Sequence, residues 1–187
     1  MDDELVVRAR EGDEAAFALL ANRMAHRLHG VAYRVLRDVA LAEDAVQLAL
    51  LRSWQDLPSL RDPSRFDAWC YRILVRICYA QAKQARKRLA EVPLGDIDPG
   101  APRDDFATVV DRDALERGFL RLPVEQRTVV VLHHYLGLPM SEVAEVVGAP
   151  METVRSRLRR ALATLRAAIE ADARIATDPA IRAKVPA

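Results

Sequence analysis

Near the C-terminal end of this 187-residue chain stand five residues that could grip a polyanion together: Arg155, Ser156, Arg157, Arg159 and Arg160. The planar fork of arginine pairs with guanine edges or with phosphate oxygens. The spacing decides whether they act as a set. Val154, Leu158, Ala161, Leu162 and Leu165 recur at the helical period and make an apolar stripe. Glu152, Arg155, Ser156, Arg159 and Arg160 then fall mostly on the opposite side, with Arg157 on the flank. Before them comes a second periodic segment, beginning near Pro139, with Val143, Ala144, Val146 and Val147 facing inward. Pro139 loses little there, because the first helical N–H has no partner anyway. Glu142 suits the positive end of that helix. Gly148-Ala149-Pro150 breaks the two segments apart. A short helix, a glycine turn and an arginine-rich helix describe a helix-turn-helix whose second helix enters a DNA major groove.

A second basic set lies earlier. Arg72, Arg76, Lys83, Arg86, Lys87 and Arg88 line one side of a predicted helix over 65–89, interleaved with Trp69, Tyr71 and Tyr79. Cations for phosphates beside aromatic faces for unstacked bases suit a melted strand. The bland alternatives stay open: Trp54 and Trp69 read equally as core residues, and Lys83 to Arg88 as a solvated helix end. Nothing comparable points to catalysis. The chain has no phosphate-binding glycine loop, no nucleophile motif and no metal-ligand spacing. His133 and His134 are adjacent, so a helix cannot aim both at one metal; one packed and one exposed is expected. Cys70 and Cys78 lie about two turns apart on one helix, too far for a disulfide. No enzyme activity, catalytic residue, cofactor or metal is expected.

The elements that must position these sets are helical. Hydrophobic residues make up 51% of the chain, glycines number only 7, and β-branched residues do not alternate in runs. Net charge is +1, so affinity for nucleic acid must come from local patches. Helices are expected over 2–10, 13–37 and 41–57. The last carries Val46, Leu50, Leu51 and Trp54 as its apolar positions. Gly30, inside the second helix, marks a close helix contact. Pro58 and Pro63 stop helix on both sides of a loop, and Ser64 with Asp67 resembles a capping box. Phe66, Trp69, Cys70, Ile73 and Ile77 are the expected core face of the next helix. The stretch 90–110 is rich in Pro, Gly and Asp and reads as a flexible linker. Ala114, Leu115, Phe119 and Leu120 open a second unit, followed by a helix over 125–136 capped by Gly137. The expected architecture is all-α, with two small helical domains, 1–89 and 111–170, the linker 90–110 and a frayed tail 171–187. The acidic N-terminus is no signal peptide, and no apolar run approaches membrane-spanning length; a soluble, cytoplasmic protein without membrane insertion is expected.

Three stretches resemble the bacterial RNA polymerase sigma factors of the extracytoplasmic-function type. The first is 138–166, whose Glu142, Val143, Ala144, Gly148, Thr153, Val154, Ser156, Arg157, Arg160 and Ala161 match region 4, preceded by Leu122-Pro123-Val124-Glu125-Gln126-Arg127. The second, Ala42-Glu43-Asp44-Ala45-Val46-Gln47 with Leu51-Arg52-Ser53-Trp54, is similar to the region 2 helix that grips polymerase. The third, Phe66-Asp67-Ala68-Trp69-Cys70-Tyr71-Arg72-Ile73, resembles a run in the family's helix that, with its preceding loop, lines the −10 promoter element. The resemblance implies a factor that binds core RNA polymerase through Asp44 and Gln47. It also implies −10 reading by Trp69, Arg72, Arg76, Lys83, Arg86 and Lys87, and −35 reading by Arg155, Ser156, Arg157, Arg159 and Arg160. Promoter DNA and an anti-sigma factor are the further partners it implies. Leu48 and Arg76 depart from the pattern, which often has an acid at the first position and Asn at the second. The alternative is a stand-alone helix-turn-helix regulator that binds an operator without polymerase. Such a protein has no need for both the Asp44/Gln47 surface and a basic, aromatic helix.

Overall fold

A computed structural model describes the backbone of residues 3–91 and 110–177 and the side chains of 3–88 and 115–171. These residues form helices and turns; no strand occurs among them. Helices α1 (Asp3–Arg10), α2 (Glu14–Leu36), α3 (Val39–Asp56) and α4 (Phe66–Glu91) make the first half. Helices α5 (Val110–Arg121), α6 (Val124–Val130), α7 (Met140–Val147) and α8 (Met151–Thr177) make the second. The linker expected over 90–110 lies almost wholly outside the described residues. So does the tail beyond 177; residues 171–177, expected to fray, continue α8 instead.

Local chemistry sets the boundaries. Asp13 accepts the amide of Ala16 at 3.0 Å and starts α2, and Asp38 accepts that of Leu41 at 2.9 Å and starts α3. The Ala16 amide and the Arg8 guanidinium hold the Asp13 carboxyl below its usual range. α2 ends on Arg37, in the left-handed region at φ 58° where glycine is usual. For a residue with a Cβ that conformation costs about 1 kcal/mol. Two 3-10 turns, Leu57–Ser59 and Pro63–Arg65, bridge α3 to α4. The expected capping box at Ser64 and Asp67 is replaced by Asp62, which accepts both the amide and the hydroxyl of Ser64.

Helix α3 departs most from its sequence reading. Its buried face is Ala42, Ala45, Val46, Ala49 and Ser53, a mostly small-residue stripe that lets the helix lie close against α2 and α4. Its large residues turn away: Leu51 is 53% exposed, and Leu50 and Trp54 are half-buried. In α4, Phe66, Cys70 and Ile77 are buried as expected, whereas Trp69 and Ile73 are half-buried. Tyr71, expected on the basic side, is buried instead, and burial pushes its phenol up to about 12.

In the second half, Leu115 and Leu120 are exposed rather than core. α5 meets α8 through Gly118 instead: a Cβ there would stand 3.0 Å from Cβ of Ala168 and 3.1 Å from Cδ2 of Leu165. α6 runs on through a π-helical turn, Val131–Tyr135, and Gly137 follows at φ 71°. His133 is half-buried, with Nδ1 2.8 Å from the carbonyl of Leu138, and His134 is exposed.

The two halves are not separately cored. Val124, Val129, Val131, Leu132, Val143, Val146 and Val154 join Leu28, Val31, Leu74 and Cys78 in one continuous apolar cluster. A smaller cluster, Leu122, Val130, Ala161 and Leu165, lies within the second half.

Candidate nucleic-acid and polymerase interfaces

The turn between α7 and α8 is built by Gly148, at φ 65°, whose amide closes α7 on the carbonyl of Ala144. Val143, Val146 and Val154 bury the inner faces of both helices. This fixes α8 so that Arg155, Arg159 and Arg160 are exposed, with Ser156 and Arg157 half-buried. The predicted −35 set therefore splits. Arg155 and Arg159 line a trough of about 360 Å³ with Arg166, over a floor of Met140, Leu158 and Leu162. Arg155 is engaged by Glu152 at 2.6 Å. Arg157 acts on Tyr79 of α4, whose phenol is raised chiefly by burial and lowered in part by that guanidinium. Arg157 thus belongs partly to the contact between the halves.

Helix α4 carries the second basic face. With about 100° of turn per residue, Trp69, Arg72, Arg76, Lys83, Arg86 and Lys87 fall within roughly one third of its circumference. Trp69 and Arg72 line a cleft of about 300 Å³. Its other wall comes from the turns before the helix: Ser59, Leu60, Arg61, Asp62 and Arg65. The sigma-factor resemblance placed this preceding loop along the −10 element as well, but the sequence singled out neither Arg61 nor Arg65 in it. The prolines that bracket the loop were the available signal, since they fix it beside the first turn of α4. Arg72 and Trp69 are half-buried, and Arg76, Lys83, Arg86 and Lys87 are exposed. The cleft is cationic and aromatic at one end, and the cationic face runs on for about 27 Å between residues 69 and 87.

Asp44 and Gln47 are exposed on α3. Around them the turned-out side chains make an apolar surface. Leu48 is 36% exposed, and Leu50, Leu51 and Trp54 line a shallow pocket of about 320 Å³ with Phe17 and Glu14. The rings of Phe17 and Trp54 pack tilted at 48°, with 4.9 Å between centroids. Two polar groups at the edge of an apolar patch have the composition of a protein-binding site, where apolar area gives affinity and polar groups fix orientation. Leu51 and Trp54, apolar positions of α3 in the sequence, face this pocket, while half-buried Phe17 also packs on the core; the alanines of α3 were the sign that its large residues would turn outward.

Cys70 and Cys78 are buried, and burial pushes both thiols up to about 12. Among the described residues, no group of three His, Cys, Asp or Glu side chains is placed to hold a metal ion. No described helix is long and apolar enough to cross a membrane.

Comparison with known proteins matches the chain to one family. The sequence model of Sigma-70 region 2 matches residues 20–88, and that of Sigma-70 region 4 matches 112–165. The chain is 35% identical to the ECF RNA polymerase sigma factor SigM of Mycobacterium tuberculosis, over 88% of this chain and 82% of SigM. It is 30% identical to the RNA polymerase sigma-H factor of Pseudomonas aeruginosa, over 86% and 89% of the two chains. Among solved structures, CnrH in complex with the cytosolic domain of CnrY superposes with a TM-score of 0.66 at 28% identity, over 91% of this chain and 98% of that one. The sigma factor RpoE of Bartonella quintana, in complex with the anti-sigma factor NepR, shares the fold with a TM-score of 0.64 at 21% identity, over 82% and 96%. The chain therefore belongs to the extracytoplasmic-function RNA polymerase sigma factors, the polymerase-binding proteins that direct transcription initiation.

Proposed function

We propose that the three surfaces divide the work of promoter recognition. The cleft and basic face of α4 bind the −10 element: Arg72, Arg76, Lys83, Arg86 and Lys87 meet phosphates, and Trp69 offers a face to an unstacked base. The exposed edge of α8 enters the −35 major groove, with Arg155, Ser156, Arg159 and Arg160 at base edges and Arg157 at the backbone or the core. Asp44 and Gln47, with Leu48 and Leu51 beside them, take the polymerase. The observation that carries this reading is the separation of charge by helix: cations on α4 and α8, and an apolar, acidic surface on α3.

By this reading the protein works in the cytoplasm, carries domains over 1–89 and 111–170, and performs no catalysis; polymerase supplies the chemistry. The complexes of CnrH and of RpoE support an anti-sigma factor as a further partner. Run-off transcription with bacterial core polymerase on a randomised promoter library tests it. Transcripts that depend on the protein, from templates sharing two spaced elements, are the expected result. A palindromic duplex retained by the protein alone, with no transcript, would overturn it.

A further inference from the structure

A side chain on a loop meets its target in one geometry only if the backbone beneath it is fixed. The loop that walls the −10 cleft is fixed in two pieces. The first turn, Leu57–Ser59, closes with the amide of Leu60 on the carbonyl of Leu57 at 3.0 Å, and the Ser59 hydroxyl donates to the carbonyl of Asp56 at 2.6 Å. The second, Pro63–Arg65, is held by the Asp62 carboxylate, which accepts the Ser64 amide at 3.0 Å, and by the Arg65 amide on the Asp62 carbonyl at 3.1 Å. Between them lies the peptide that joins Leu60 to Arg61. Leu60 is buried, while Arg61 and Asp62 are exposed and wall the cleft. That peptide is tied from fifty residues away: Nη1 of Arg10, the last residue of α1, donates to the carbonyl of Leu60 at 3.2 Å. A peptide unit is planar, so a hydrogen bond on its oxygen also sets the Cα of the next residue, here Arg61.

Helix α1 is itself fastened. Leu5, Val6 and Ala9 bury its inner face. Its end is locked to the start of α2: Nε and Nη2 of Arg8 donate to the Asp13 carboxylate at 3.0 and 2.6 Å, the Asp13 amide bonds to the Arg8 carbonyl at 3.1 Å, and Gly12 makes the corner at φ 98°. The two arginines in the last turn of α1 therefore have different tasks: Arg8 fixes the helix, and Arg10 fixes the loop. Arg10 is half-buried and stands behind the cleft, apart from the residues that line it.

We propose that Arg10 is a positioning residue for −10 recognition: α1 is a strut that, through the Leu60 carbonyl, holds Arg61 in the wall of the cleft opposite Trp69 and Arg72. The idea rests on the −10 assignment given above. A guanidinium suits the task. A charged donor binds a carbonyl more strongly than a neutral one does, and the long arginine stem reaches the loop from a helix that supplies no other part of the cleft. Without it the peptide turns its carbonyl to water, and Arg61 leaves the wall.

The test uses the full chain assembled with core polymerase, on a fork template with an unpaired −10 strand, taken from the promoters that the run-off library selects. Arg10→Met keeps the stem and removes the donor. It should weaken fork binding about three- to tenfold, as the loss of one hydrogen bond does, and leave the affinity for core polymerase unchanged. Arg61→Ala should weaken the fork by at least as much. Arg10→Met added to Arg61→Ala should then cost nothing further, because a residue that acts through another loses its effect with it. Loss of the strut as a mere piece of the fold would not show that dependence on Arg61. Additive losses in the double variant would overturn the proposal, since they would mean that Arg10 meets the DNA itself. A parallel fall in polymerase affinity would overturn it too, by showing general damage to the first half. So would an Arg10→Met variant that binds the fork normally while Arg61→Ala does not. If neither Arg61→Ala nor Arg72→Ala affects fork binding, the −10 assignment of the cleft falls, and the strut falls with it.

Discussion

Arg159 stands exposed on the trough side of α8, without the carboxylate that engages Arg155 at 2.6 Å. It is therefore the arginine of that pair most ready for a base edge. Arg159→Ala should relax −35 specificity and cost about 1–3 kcal/mol on the preferred sequence, as a bidentate base contact does. Binding selection with polymerase checks this; uniform weakening on every sequence would mean a phosphate contact. Cys70 and Cys78 predict the behaviour in alkali. Their pKa is raised on folding from 9.0 to about 12, because burial penalises the thiolate. Below about pH 9 the thiols are neutral in both folded and unfolded chain, and stability is at its full value. As pH rises from 9 toward 12 the unfolded chain loses these protons while the folded chain keeps them, so stability falls. Thermal melts across that range should decline, and Cys78→Ala should flatten the decline.

At the scale of the helix, the sequence told the type of nearly every element and less about which way it faced. The helical period, Asp13, Gly137 and Gly148 placed the boundaries, because caps and glycine turns are local chemistry. Gly30 also spoke clearly: a close contact was expected there, and Tyr135 fills it. Facing failed in α3 and α5, where small residues rather than large ones make the contact. A period of large apolar residues points to the core only when neighbouring helices keep their ordinary distance. Alanines in α3, and Gly118 in α5, bring the helices closer and turn the leucines outward. Arg61 and Arg65 escaped the sequence for another reason: they sit in and beside the turns that precede α4, off the basic stripe of the helix itself. Two tests follow. Gly118→Leu should force α5 off α8 and destabilise by about 1–3 kcal/mol in denaturant melts. Asp44→Ala, Gln47→Ala and Leu51→Asp should leave stability within about 0.5 kcal/mol, as exposed changes do, yet weaken binding to core polymerase in a pull-down titration. Unchanged polymerase affinity would move that interface off α3.

For the molecule as a whole, the two basic faces proposed to read DNA sit on one chain with a net charge of only +1. Two weak tethered sites add up only when their spacing matches the template, and here the halves share a core instead of standing apart. The free protein should therefore bind promoter duplex weakly at physiological salt, and polymerase should restore affinity by fixing the spacing. A salt titration by fluorescence anisotropy checks it; tight, specific binding by the free chain would refute it.

The outward leucines of α3 bear on supply. Protein made in excess of polymerase and of any other partner carries Leu48, Leu51 and the Phe17–Trp54 pocket bare to water, and such patches invite self-association. The cell's stock of this factor would then be limited by how many partners await it, with surplus copies clumping or degraded. Overproduction in a foreign host should yield soluble protein in proportion to the polymerase produced with it.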